Sequence, residues 1–410
     1  MEKKKVLIVG GGFGGLFTAL DLARDTEVTL ISDTDHFCFR PLLYEYLSGE
    51  VEAWHIAPDY KELFGDEINF VRDAVETIDF EKREVKVSSR NETLDYDALV
   101  LAVGGVTNFW NIKGAEEFAL PFRTIADADK LRGQMVKALD KISPTLAPQE
   151  AREKLTFAVV GGGASGVELA TKMSDLLTDA FQRRGLKGEP HVLLLEMSDR
   201  IVPGMGEDIR EYVNKVLLEK HIDVNLQTKV LEVKPHGIVY EYNGEQTEIE
   251  TVTTVWTAGV KVNSLIEKLD LPKDKNDLLL VEPTLQVKDF ENVFALGDIA
   301  KVQEVAPVLV GTAQLAFQES DLLANNIRAF LSGKNLKAKQ FEEMGEAVSL
   351  GTSDGAVLVG GNVLGGVLAR DARFALYTSR LPTWHHRLKV GASWFFGGTT
   401  PKPLQPLGIS

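Results

Sequence analysis

The chain of 410 residues contains a single cysteine, Cys38. An internal disulfide or a paired dithiol is therefore excluded, and a reducing compartment is the natural setting. Positive charge is also scarce: 45 Lys and Arg stand against 60 Asp and Glu, for a formal net charge of -15. Such a surface repels a phosphate backbone, so no nucleic-acid partner is expected and any phosphate contact must be local. No apolar run approaches the roughly 18 residues of a membrane-spanning helix, so the chain is expected to be soluble or to lie on a membrane surface. Lys3-Lys4-Lys5 leads directly into a strand, and no targeting segment is expected. The seven histidines show no ligand spacing with cysteine or acids, and no metal site is expected.

What is present is a repeated local pattern. Short β-branched runs alternate with helical patterns from residue 5 to about residue 330, which predicts an α/β fold of parallel sheets with helical crossovers. Val6-Leu7-Ile8-Val9 leads into Gly10-Gly11-Gly12-Phe13-Gly14-Gly15, and Phe157-Ala158-Val159-Val160 leads into Gly161-Gly162-Gly163-Ala164-Ser165-Gly166, 151 residues later. In Gly-x-Gly-x-x-Gly the first glycine permits a tight turn, the second lets backbone approach a pyrophosphate, and the third lets helix and strand pack closely. One such loop could merely join a strand to a helix. Two of them, one domain apart, predict two Rossmann-like dinucleotide-binding domains.

An acid after the next strand would hold ribose hydroxyls. Glu196 follows His191–Leu195 in the second unit and favours an unphosphorylated ribose, hence NADH, while the nearby Arg200 keeps NADPH open. In the first unit Ser32 stands at that place and the acid is displaced to Asp33. Leu146-Ala147-Pro148-Gln149-Glu150 has the character of a boundary. Beyond residue 335, Glu346 to Val363 reads as short strands with glycine turns, and Val367 to Phe396 as helices interrupted at Pro382.

Several longer strings carry a family resemblance. Tyr96–Gly104 resembles the strand ending in Ala-x-Gly (Ala102, Gly104) where two-dinucleotide-binding flavoproteins cross between domains, and Asn292–Asp298 resembles their late strand, whose Asp meets the flavin ribityl chain. With Phe39-Arg40-Pro41-Leu42-Leu43-Tyr44, Gly166-Val167-Glu168-Leu169-Ala170, Val255–Val260 and Ala313–Glu319, the whole chain resembles the type II NAD(P)H:quinone oxidoreductases. Leu47–Val51, Trp54, Ile56-Ala57-Pro58, Met344-Gly345, Ser349-Leu350-Gly351 and Arg380–Thr383 are similar to the cyanobacterial and plastid demethylphylloquinone reductase branch.

The resemblance implies an FAD domain over 1–125 and 280–335, an NAD(P)H domain over 150–279, and a C-terminal region over 336–410. Non-covalent FAD would meet Gly10, Gly12, Phe13, Gly14, Gly15, Ser32, Asp33, Arg40, Pro41, Ala102, Gly104, Gly297, Asp298, Ala313 and Gln314. NADH or NADPH would meet Gly161, Gly163, Ser165, Gly166, Glu196, Ala258 and Gly259. Glu168 would lie by the nicotinamide, against the bland alternative of a solvated helix-face carboxylate. Gln314 and Gln318, spaced i, i+4 on one helix face, would border the quinone pocket, although both could be plain helix formers. The implied reaction passes a hydride from NAD(P)H to the flavin and two electrons to a prenylated naphthoquinone. A protein acceptor such as ferredoxin, or a low-turnover redox sensor, is the alternative. The lone cysteine sets aside the sulfur-handling relatives.

Charge reverses in the tail. Arg370, Arg373, Arg380, Arg387, Lys389 and Lys402 face one acid, Asp371, between Gly360 and Ser410. Phe374, Leu376, Tyr377, Trp384, Trp394, Phe395 and Phe396 are interleaved with them, which predicts peripheral attachment to anionic lipid, on the cytoplasmic side of a thylakoid or plasma membrane. The competing expectation is that these residues cover the flavin domain or form a homodimer contact.

Overall fold

The strand Lys5–Val9 sits at the centre of a five-stranded parallel sheet in the order Val293–Ala295, Ala98–Leu101, Lys5–Val9, Glu27–Ser32, Asn69–Arg72. Its Val6, Leu7, Ile8 and Val9 are all buried, as expected of a strand covered on both faces. A second parallel sheet has the order Asp223–Asn225, His191–Leu195, Thr156–Val160, Thr253–Trp256, Leu120–Pro121. The computed structural model describes residues 3–90, 92–302, 311–338, 340–342 and 345–404. Met344 and the basic tail's last six residues, 405–410, lie outside the described residues, as do 303–310.

The two glycine loops are built alike. Gly10 and Gly161 adopt φ of +106° and +109°, a region costly for any side chain. A Cβ on Gly15 would stand 1.9 Å from the Gly10 carbonyl oxygen, and one on Gly166 would stand 1.7 Å from that of Gly161. The helices that follow, Phe13–Leu22 and Ala164–Arg184, can thus lie directly against their strands. Helix Phe13–Leu22 packs on helix Ala313–Leu331 through Phe17 and Phe317, whose ring centroids are 4.9 Å apart.

Two features depart from the sequence expectation. Leu120–Pro121 lies inside the range 1–125 assigned to the first domain, yet it pairs with Val255–Trp256 of the second sheet. The chain therefore changes domains soon after Gly105–Thr107, which pairs antiparallel with Val260–Val262 as the crossing point. Three-stranded antiparallel sheets over Val75–Asp95 and Lys229–Glu250 also interrupt the parallel pattern.

The C-terminal region is an antiparallel sheet of Ala347–Ser349, Gly355–Val359 and Asn362–Gly365, then helices Gly366–Ser379 and Trp384–Gly397 flanking Pro382. Among the described residues no helix is long and apolar enough to cross a membrane.

Candidate active site

The C-terminal ends of the first sheet, the start of helix Ala164–Arg184 and the end of helix Gly366–Ser379 converge on a cavity of about 500 Å³. From the first domain Phe13, Gly14, Arg40, Pro41, Ala102 and Gly104 line it, with Gly297, Asp298, Ala313 and Gln314 from the late segments. Ser165 and Glu168 close it from the second domain, and Leu376, Tyr377 and Arg380 from the tail. Of the remaining loop residues, Gly15, Gly161 and Gly166 are buried where strand meets helix, Gly10 and Gly163 are half-buried, and Gly12 is exposed.

Whether these loops fit dinucleotides can be tested on the backbone. Among the described residues, nothing lies within 4 Å of where a Cβ on Gly12 or Gly163 would point. Neither following helix has a side-chain N-cap or an acid in its first turn. Each presents free N–H groups and the positive end of its dipole to open space, which is what a pyrophosphate requires. The residues fit the groups: Gly10–Gly15 with Ser32, Asp33, Arg40 and Asp298 would hold FAD, and Gly161–Gly166 with Glu196 the nicotinamide dinucleotide.

Glu196 lies beneath the second loop, where it accepts from the Gly162 N–H and, at 2.7 Å, from the Ser198 N–H. Arg200 is paired with Asp199 at 2.7 and 2.8 Å. The Ala258 carbonyl accepts from two indoles, Trp256 at 2.9 Å and Trp110 at 3.1 Å, which fixes the Ala258-Gly259 turn at the end of its strand. Ser32 is buried within reach of Thr34, at 3.2 Å, while Asp33 is exposed at the strand end. The Tyr60 hydroxyl donates to the Gly11 carbonyl at 2.7 Å and so props the first loop from below. Asp298 accepts from the Gly105 N–H at 3.4 Å and stands 3.8 Å from Arg123, tying the late strand to the domain crossing.

Glu168 is not a solvated carboxylate. It is buried in the cavity wall, and its Oε1 accepts from the Ser349 N–H at 2.9 Å and from Arg373 Nη2 at 3.0 Å. Burial pushes its proton affinity up to about 7, against the pull of Arg373 and with help from the nearby Glu45. With Oε1 occupied, Oε2 is the oxygen left for the cavity. A carboxyl poised near neutral pH can hold or release a proton there.

Three expectations are corrected. Gln314 lines the cavity but Gln318 does not: its amide donates to the Glu342 carbonyl at 2.7 Å and accepts from the Glu342 N–H at 3.1 Å, so both ends are spent on backbone. Arg373 and Arg370 do not face outward as lipid-binding charges, because they ion-pair inside the protein with Glu45 and Glu50. Phe374 is buried against Trp394 and Leu376 and Tyr377 line the cavity, which leaves Trp384, Phe395 and Phe396 of the seven tail residues on the outside. Sequence reasoning gave Arg373 a lipid-facing role and passed over Arg123, because neither neighbourhood announces the distant carboxylates, Glu45 and Glu168 for the one and Asp298 for the other.

Residues 4–320 match the pyridine nucleotide-disulphide oxidoreductase family. The chain is 37% identical to the demethylphylloquinone reductase NdbB of Synechocystis sp., with 96% of each chain covered. The chain belongs to the type II NAD(P)H:quinone oxidoreductases.

The alternative NAD(P)H-ubiquinone oxidoreductase C1 of Arabidopsis thaliana is 33% identical, covering 96% of this chain and 81% of that protein. The fold matches the structure of NDH2 from Plasmodium falciparum in complex with NADH, at a TM-score of 0.85 and 21% identity over 98% of this chain and 100% of that one. As a type II oxidoreductase the protein is a flavoprotein that uses FAD and NAD(P)H.

Proposed function

We propose that the protein oxidises NADH and reduces a prenylated naphthoquinone taken from a membrane surface. The observation that carries this reading is Glu168, a buried carboxyl with a proton affinity near 7 in the wall of the cavity between the two glycine loops. When bound, FAD supplies a two-electron store between hydride donor and quinone. The protein's own groups supply binding, orientation and a proton.

The open N-termini at Gly12 and Gly163 hold the pyrophosphates, and Glu196 takes the ribose hydroxyls of the donor. A 2′-phosphate would meet that carboxylate, and Arg200 is already engaged by Asp199, so NADH is the preferred donor. Gln314 presents an amide to a quinone carbonyl on the cavity side. Glu168 gives that quinone a proton as its oxygen gains charge.

A prenylated acceptor also needs an apolar approach. Phe395, Phe396, Trp384 and Leu368 are exposed at 85%, 86%, 62% and 71%, on the two helices that follow the last strand. One of those helices reaches the cavity wall through Leu376 and Tyr377. A lipid surface would cover this face, with the protein peripheral on the cytoplasmic side.

The test is anaerobic bleaching of the flavin by NADH and separately by NADPH, followed by reoxidation with a demethylnaphthoquinone analogue, a benzoquinone or ferredoxin. The reading expects faster bleaching by NADH and fastest reoxidation by the naphthoquinone. Reoxidation only by ferredoxin would overturn it.

A further inference from the structure

Glu168 belongs to a cluster of six charged side chains drawn from three separate parts of the chain. Glu45 and Glu50 come from the first domain, Glu168 and Lys172 from the helix after the second glycine loop, and Arg370 and Arg373 from the tail helix. Lys172 is fully buried and meets Glu50 in a close ion pair, with Glu45 Oε1 at 3.5 Å. Glu50 also accepts from the Ser48 hydroxyl and, at 2.9 Å, from Arg370, which reaches the Thr399 carbonyl at 2.7 Å in the surface segment. Glu45 Oε1 is held by Arg373 at 2.6 Å, the same guanidinium that holds Glu168.

Burying this many charges is costly, and for stability alone apolar side chains would serve as well. Two details point to a use. Glu45 Oε2 has no hydrogen-bond partner among the described residues, although it is buried. Arg373 bonds Oε1 of both Glu45 and Glu168, at 2.6 and 3.0 Å, so one guanidinium holds the two carboxyls side by side. The other titratable groups facing them are Tyr44 and Tyr377, both with raised proton affinity from burial first.

Proton balance supplies the need. NADH gives a hydride, which is two electrons and one proton, whereas a quinone takes two electrons and two protons to become a quinol. One proton must therefore reach the cavity from solvent in each turnover. Glu168 can deliver it once, and must then be reprotonated.

We propose that Glu50, Lys172 and Glu45 form the relay that reprotonates Glu168, an inference that rests on the quinone-reductase reading above. Lys172 passes a proton to Glu45 and is recharged from the Glu50 side, beneath Ser48 and Thr399. Glu45 passes its proton on to Glu168. Each group returns to its starting state, with one proton moved from the surface to the cavity and no electron transferred. Arg373 stays charged throughout and clamps the two carboxyls in place, because a guanidinium does not deprotonate in proteins.

That property makes Lys172→Arg the deciding variant: it keeps the charge and its ion pairs and cannot carry the proton. The holoenzyme would be studied by stopped flow in both half-reactions, with Glu45→Gln as a second variant. FAD content and the rate of flavin bleaching by NADH act as folding controls. The relay predicts normal bleaching, with reoxidation by the naphthoquinone slowed roughly a hundredfold or more, the usual scale for a lost proton-transfer group, and an enlarged solvent deuterium isotope effect. Wild-type reoxidation and isotope effect in Lys172→Arg would overturn the relay, as would bleaching and reoxidation falling together in both variants. Glu168→Gln run alongside separates the two claims: if it too reoxidises normally, the role given to Glu168 fails; if it alone is slow, only the relay fails.

Discussion

Glu168 and Arg373 are 205 positions apart in sequence and 3.0 Å apart in space. The same guanidinium bonds Glu45 at 2.6 Å and the Pro41 carbonyl at 2.6 Å, so one side chain from the tail locks the first domain to the second at the cavity wall. The tail is thereby part of the cavity wall and not an appendage to it.

Arg373→Gln removes the clamp and leaves two buried carboxylates facing each other. Breaking a buried ion pair by deleting one partner costs about 3–5 kcal/mol, so the variant is expected to melt well below the wild type and to lose FAD on gel filtration. Arg373→Lys, with one ammonium in place of a fork, should fall between them. Thermal melts with flavin absorbance check both; wild-type stability in Arg373→Gln would contradict the clamp.

A second buried carboxyl, Glu319, accepts from the Gly297 N–H at 2.7 Å and is 0% exposed. Burial pushes its proton affinity up from 4.5 to about 7, with Asp298 adding to the effect against the Gly297 bond. Its folded-state value lies above the unfolded one, so its contribution to stability is full below pH 4.5 and is lost as pH rises through about 7. Glu319→Gln should flatten the decline in melting temperature across that window. A decline identical to the wild type's would show that Glu319 keeps its ordinary affinity.

The second and third glycines of the Gly-x-Gly-x-x-Gly in the second loop, Gly163 and Gly166, should separate binding from folding. A Cβ at Gly166 would collide with the Gly161 carbonyl, so Gly166→Ala is expected to yield no soluble folded protein. A Cβ at Gly163 meets only open space, so Gly163→Ala should cost no more than about 1 kcal/mol as a poorer helix cap while raising the KM for NADH severalfold. Unchanged KM with unchanged melting would remove Gly163 from the donor site.

Much of this was legible in the sequence for a physical reason. A dinucleotide loop is local: Gly10–Gly15 and Gly161–Gly166 carry their turn, their open face and their helix start within six residues, and the structure builds both the same way. The break at Pro382 between two tail helices is equally local. The ion cluster was not legible, because Glu45 and Arg373 are 328 positions apart and nothing in either neighbourhood announces the other. Gln318 misled for a related reason: helical spacing fixes which face a side chain leaves from, and not what its amide then meets.

The outward aromatics give a prediction that does not depend on catalysis. Phe395→Ser with Phe396→Ser removes two rings exposed at 85% and 86%, so the melting temperature should stay put. Each buried aromatic contributes about 1.5–3 kcal/mol to partitioning, so pelleting with anionic liposomes at low salt should drop more than tenfold. Failure of the wild type itself to pellet would end the membrane reading.

The most direct test of the central claim is the rate of flavin reoxidation by a naphthoquinone, followed against pH in the wild type and in Glu168→Gln. If Glu168 supplies the proton, the wild-type rate declines as pH rises through about 7, where its carboxyl empties, and the variant is slow and flat across the same range. Superimposable profiles would contradict the account.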